Sequence, residues 1–138
     1  MYKKKVLSIF VLLLLSTKAY TQSIEVVFEQ PIQLINKSVG KEWSFYYSIN
    51  DIHYSLYSKA KIEVDKTAIT LKIYAREEDK IPDIGSSILT IDPKELEINT
   101  TNRYVTIIHV IENGGKYKGN EAQWKMYFSI NYMKQDTW

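Results

Sequence analysis

The stretch Ala122-Gln-Trp-Lys-Met-Tyr-Phe-Ser-Ile-Asn-Tyr-Met133 alternates without a break. Trp124, Met126, Phe128, Ile130 and Tyr132 point one way, and Lys125, Tyr127, Ser129 and Asn131 the other. Side chains that alternate with a period of two mark a strand with one face in a core and one in water. The same pattern recurs upstream. In Trp43-Ser-Phe-Tyr-Tyr-Ser-Ile49 the residues Trp43, Phe45, Tyr47 and Ile49 share a face, and Ile69, Leu71, Ile73 and Ala75 do so in Thr67–Ala75. Shorter β-rich runs lie at Ile24–Phe28, Ile52–Tyr57, Lys61–Val64 and Ser87–Ile91. Tyr104–Ile111 is apolar on both faces, which predicts a central strand. Pro31 interrupts the 24–28 run or places it at a sheet edge open to a partner strand.

Turn signals separate these runs. Asn50-Asp51 and Asp65-Lys66 punctuate, Asp92-Pro93 stops a strand, and Pro93–Glu97 has room for one helical turn or a strand edge. Asn113-Gly-Gly-Lys-Tyr-Lys-Gly-Asn120 suits a long hairpin loop. No stretch sustains a 3.6-residue apolar period. About eight short strands with turns between them predict an all-β, single-domain antiparallel β-sandwich, C2-like or immunoglobulin-like, with a small closed barrel as the competing fold.

The N-terminus speaks to compartment. Met1-Tyr-Lys-Lys-Lys5 is basic, Val6–Leu15 is an apolar run, and Ala19 and Thr21 are small residues ahead of Gln22. This order reads as a secretory signal peptide over residues 1–21, in the style of a bacterial leader, with cleavage before Gln22. An uncleaved membrane anchor is the competing reading, but ten apolar residues fall short of the roughly 20 needed to span a bilayer. The expected location is secreted or periplasmic, with the domain over residues 22–138 and no transmembrane segment after cleavage.

Cleavage at that point takes away four lysines and no acid, so the formal charge goes from +2 to −2. A slightly acidic domain lacks the electrostatic footprint that nucleic acid requires. Cysteine is absent, so packing alone must stabilise the fold. There is no Gly-x-Ser-x-Gly elbow and no thiol nucleophile. His53 and His109 lack ligand spacing for zinc, and His109, in its apolar run, reads as a buried, hydrogen-bonded histidine.

The chemical question lies at Arg76-Glu-Glu-Asp-Lys-Ile-Pro-Asp-Ile-Gly-Ser-Ser87, which packs four carboxylates into seven residues between two strands. It reads either as a cation site or as a solvated turn whose charges are screened by Arg76 and Lys80. The wider segment Leu71–Ile91 resembles one segment of the C2 domain family, in which a strand runs into an acidic loop, an Asp-apolar-Gly step and another strand. The resemblance implies Ca²⁺ as a cofactor, with Glu77, Asp79 and Asp83 on ligand positions and Gly85 at the tight step into the next strand. It also implies ligands from a second loop, for which Asn50-Asp51 is the candidate. Without the resemblance, Gly85 reads as a positive φ or a bulge.

Two further surfaces are candidates for a protein or glycan partner. Tyr46 and Tyr57 lie opposite the apolar stripes, where flat rings can stack on sugars. Lys116, Tyr117, Lys118 and Asn120 sit on the glycine-rich loop. That loop lacks the Lys-Ser/Thr ending of a phosphate cradle. The sequence therefore reads as an exported, non-catalytic binding protein, with Ca²⁺ dependence implied by the C2 resemblance. The alternatives are a carbohydrate-binding module using the tyrosines and, last, a small secreted hydrolase. Neither the partner nor the oligomeric state is legible.

Overall fold

The computed structural model of the chain describes residues 19–65 and 67–137. The expected leader falls almost wholly outside them. The described residues form nine strands: β1 (Ala19–Phe28), β2 (Ile32–Asn36), β3 (Trp43–Ile49), β4 (Ile52–Ser55), β5 (Ala60–Glu63), β6 (Ile69–Glu77), β7 (Ile84–Ile91), β8 (Thr101–Ile111) and β9 (Glu121–Thr137). A 3₁₀ turn at Pro93–Glu95, capped by the Asp92 side chain, supplies the single helical turn that Asp-Pro suggested.

Two antiparallel sheets face each other. One runs β4-β3-β6-β7. The other is built on β9. Its residues 121–131 pair with β8 along one edge, and β1 and then β2 pair along the opposite edge, with β5 outside β1. Glu29–Pro31 breaks what would otherwise be one long strand into β1 and β2. The expected edge at 24–28 is thereby corrected: β1 is flanked by β9 and β5 there, and β2, just past Pro31, has β9 on one side only.

The alternation explains the core. Leu71, Ile73 and Ala75 of β6 face Trp124, Met126, Phe128 and Ile130 of β9, all buried. Aromatic rings lock the layers together. Trp43 and Phe45 lie 5.2 and 4.7 Å from Trp124, and Phe28 sits 4.8 Å from Tyr47 and 5.2 Å from Phe128. Each large apolar side chain taken fully from water contributes about 1.5–3 kcal/mol, so this interface carries the fold without disulfides. Tyr47 also pins the crossover between sheets. Its hydroxyl donates to the Ser58 carbonyl at 2.8 Å and accepts the Ala60 N–H at 3.1 Å. Burial pushes this phenol's pKa up.

On the other flank β7 and β8 meet edge to edge. Ser87 and Thr106 share a hydroxyl hydrogen bond of 2.6 Å. A Cβ at Gly85 would stand 2.1 Å from the His109 carbonyl oxygen. Gly85 is required because backbone passes backbone, and neither a positive φ nor a bulge is involved. β8 is therefore an edge strand of its sheet, against the expectation of a central one. Its outer face carries Val105, Ile107 and Ile111 half in water. His109 lies on that exposed face, hydrogen-bonded to Glu121, which corrects the expected buried histidine.

β1 begins at Ala19, which pairs with Thr137. A cut before Gln22 would shorten β1 by three residues and leave β9 unpaired beyond Lys134. Among the described residues no helix is long and apolar enough to cross a membrane.

Candidate functional site

Three connections gather at one end of the sandwich: residues 37–42 between β2 and β3, 78–83 between β6 and β7, and 112–120 between β8 and β9. Backbone bonds tie them together. Glu78 N–H donates to the Glu42 carbonyl at 2.7 Å, Glu77 N–H to the Asp83 carbonyl at 2.9 Å, and Lys37 N–H to the Glu121 carbonyl at 3.0 Å. Asn50-Asp51 makes the β3–β4 turn at the opposite end, with both residues at positive φ (48° and 67°) as a two-residue hairpin demands. The expectation that it supplies a second ligand loop is thereby overturned.

The acidic loop splits into two parts. Glu78 leaves the site and pairs with Arg76 at 3.5 Å and with the Ser44 hydroxyl. Glu77 and Asp83 turn inward, with only 4% and 1% of their surfaces exposed. Asp83 Oδ1 accepts two hydrogen bonds from Asn113, from its backbone N–H at 3.0 Å and its side-chain amide at 2.9 Å. Asp83 Oδ2 and Glu77 Oε2 are buried and have no partner. Asp79 stays exposed and folds back on its own loop, accepting the Ile81 N–H at 2.8 Å. Gly40 lies against Glu77 so closely that a Cβ there would stand 2.1 Å from Glu77 Oε1.

A fourth carboxylate joins them. Burial, Asp79, Asp83 and Glu112 all push the Glu77 carboxyl above its ordinary pKa. Burial, Asp83 and Asp79 do the same to Glu112, against the opposing hydrogen bond from Gly114 N–H. Among the described residues none of Glu77, Asp79, Asp83 and Glu112 has a basic partner within ion-pair distance. Nor do any three His, Cys, Asp or Glu side chains among them stand close enough to grip an ion as they are.

The sequence singled out Glu77, Asp79 and Asp83, and the structure brings all three to this end. It missed Glu112 and Asn113, which lie about thirty residues further along the chain. Gly40 gave no signal either. The hint that could have found Glu112 was a carboxylate at the mouth of the glycine-rich loop.

The tyrosines and the loop residues do not form one surface. Tyr46 lies on the outer face of β3, stacked on Tyr74 at 4.6 Å and 11°, with His53 beside both rings at 5.9 and 6.0 Å. Tyr57 is 73% exposed but sits in the β4–β5 crossover, its hydroxyl 3.5 Å from the Gln30 side chain. Tyr117 is 45% exposed on the β8–β9 loop with the Lys116 amine 5.4 Å from its ring centre. It forms one wall of a hollow of about 470 Å³ whose other lining residues are Asn36, Ser38, Gly40 and Lys41. Lys118 and Asn120 belong to the same loop, Lys118 exposed and Asn120 donating its N–H to the Tyr117 carbonyl at 2.9 Å.

The fold is similar to that of a C2 domain. A C2 domain of plant extended synaptotagmin 1, the first by its lettering, matches with a TM-score of 0.47 and 12% identity, over 85% of this chain and 96% of that one. A likeness of this size carries no residue's role across, and the roles below rest on this chain's own geometry. No protein-family model matches the chain, and no curated protein matches it.

Proposed function

We propose that this chain is an exported, non-catalytic, C2-like binding module whose loop end takes a divalent cation, Ca²⁺, among Glu77, Asp79, Asp83 and Glu112. One observation carries the reading. Two carboxylates are nearly fully buried, each has an oxygen without a partner, and neither has a base beside it. An uncompensated buried charge costs several kcal/mol unless it is neutralised. Protons or a cation must do so, and the reading taken here is the cation.

The donor set fits the ion. Ca²⁺ takes six to eight oxygens at roughly 2.3–2.6 Å and tolerates irregular geometry. Carboxylates and loop carbonyls are the ligands on offer, with no thiol and no clustered imidazole. Asp79 and Glu112 sit on loops and can close on the ion by side-chain rotation. Lys80 is the one basic residue within the acidic loop, and it is exposed.

The partner surface is the same end of the molecule. The hollow between Tyr117 and Lys41 offers an aromatic wall and two amines beside the cation site. This favours a protein or glycan ligand bound at the loops. The Tyr46–Tyr57 pair is not used, because Tyr46 is stacked on Tyr74 on the outer face of β3 and Tyr57 stands apart in the β4–β5 crossover.

Calorimetric titration of the purified chain with Ca²⁺ tests the proposal. Saturable binding that Asp79→Asn weakens at least about tenfold supports it, since a charged ligand is lost. Binding of equal strength in Asp79→Asn, or none in either protein, removes it.

A further inference from the structure

We propose that the leader is removed at the Ala19–Tyr20 bond, so that the mature chain starts at Tyr20 and not at Gln22. The inference rests on the reading of this chain as exported and deepens it.

A leader peptidase takes small residues at the first and third places ahead of the bond it cuts. Ala19 and Thr21 meet that demand for a cut before Gln22, and Thr17 and Ala19 meet it for a cut before Tyr20. The second choice puts alanine, smaller and unbranched, directly at the bond. Residue size alone leaves both open, and the sheet separates them. β1 pairs with β9 in the order Ala19 with Thr137, Tyr20 with Asp136, Thr21 with Gln135 and Gln22 with Lys134. A cut before Tyr20 gives up only the outermost of these pairs. A cut before Gln22 gives up three, and leaves Gln135–Thr137 without the strand they pair with.

The residues at stake are held by more than the ladder. The Lys134 amine stands 4.1 Å from the centre of the Tyr20 ring, a cation–π contact that ties β1 to β9. Gln22 sits deeper. Its carbonyl accepts the Val64 N–H at 2.9 Å, and its side chain accepts the Tyr132 hydroxyl at 2.9 Å. A chain starting at Gln22 puts a hydrated ammonium on the residue that joins β1, the end of β5 and Tyr132. A chain starting at Tyr20 keeps that charge at the fraying end of the strand.

The same geometry shields the later bond. Once the domain folds, Thr21–Gln22 lies three pairs inside the ladder, while Ala19–Tyr20 lies beside its outermost pair. A peptidase needs the backbone around its bond free of other partners, and terminal pairs open most readily. The step itself is a hydrolysis. Water adds across the Ala19–Tyr20 amide, leaving a carboxylate on Ala19 and an amine on Tyr20.

Expression of the full-length chain in an exporting bacterial host, followed by N-terminal sequencing and intact mass of the product, tests this. The native sequence yields a chain that starts at Tyr20. Thr17→Lys alters only the discarded leader, and puts a long charged residue at the third place ahead of this bond. It lowers the yield of that chain by at least about tenfold. Thr21→Leu spoils the place next to the alternative bond, and its product still starts at Tyr20. A native product that starts at Gln22 or at any other residue overturns the inference and leaves the export reading standing. A chain that stays full-length, with no processed product, overturns both.

Discussion

Replacing Gly40 by alanine tests the architecture of the acidic site with one methyl group. The added Cβ would lie 2.1 Å from Glu77 Oε1 and 2.3 Å from its Cδ and Cγ, where ordinary contact begins at 3.4 Å. The Glu77 carboxylate must retreat by about 1.3 Å. A ligand has to be held within about 0.5 Å of its working position, so the displacement exceeds the tolerance of the site. We expect Ca²⁺ affinity to fall by at least about tenfold, and stability to fall by about 1–3 kcal/mol from overpacking. A double-mutant cycle with Glu77→Ala separates the two effects. With the side chain at 77 gone the methyl has room, so the pair should lose less than the sum of the single changes. Calorimetry and urea unfolding of the four proteins read both quantities. Unchanged affinity in Gly40→Ala, or strict additivity in the cycle, would refute the reasoning.

Three other outcomes follow from the geometry. Tyr47→Phe leaves the buried Ala60 N–H without an acceptor and should cost about 1–3 kcal/mol, read as a lower urea midpoint at constant slope. Gly85→Ala drives a methyl into the His109 carbonyl, where backbone cannot yield, and should cost about 3 kcal/mol or more; a loss under about 1 kcal/mol would show that β7 and β8 do not meet as described. In EDTA the stability should depend on pH through Glu77 and Glu112. Both carboxyls are raised in the folded state, so their contribution is present at acid pH and is lost as pH rises through those raised values. The cation-free protein therefore becomes less stable as pH rises above the ordinary carboxylate range, and Glu77→Gln flattens the trend. Glu121, lowered by its hydrogen bond to His109, acts in the opposite sense below the ordinary carboxylate range. Melting temperature against pH for the two proteins distinguishes these terms.

Much of the fold was legible because alternation is a local signal. Trp124, Met126, Phe128, Ile130 and Tyr132 all went inward as their spacing required. Tyr104–Ile111 misled because residues apolar on both faces normally mean cover on both sides. Here Val105 and Ile107 stay half in water, and nothing in the strand itself announces that its free edge meets β7. β2 escaped notice because it is short, exposed and interrupted by a register shift at Leu34. At the site the contrast is sharper. Glu77, Asp79 and Asp83 are neighbours in sequence and could be read together. Gly40, Glu112 and Asn113 come from two other connections, and only the pairing of distant strands puts them there. Asn50-Asp51 resembled a ligand pair in composition, but the direction of β3 carries it to the far end.

The central claim is that the loop end is a cation site, and thermal unfolding in EDTA and then in Ca²⁺ tests it most directly. Calcium at about 100 times its dissociation constant stabilises the folded state by roughly 2.7 kcal/mol. For a domain of this size that is a rise of about 10 °C in Tm. The account predicts such a rise in the native sequence and its loss in Asp83→Ala. An unchanged Tm at saturating calcium would contradict it and leave the acidic loop as solvated punctuation between β6 and β7.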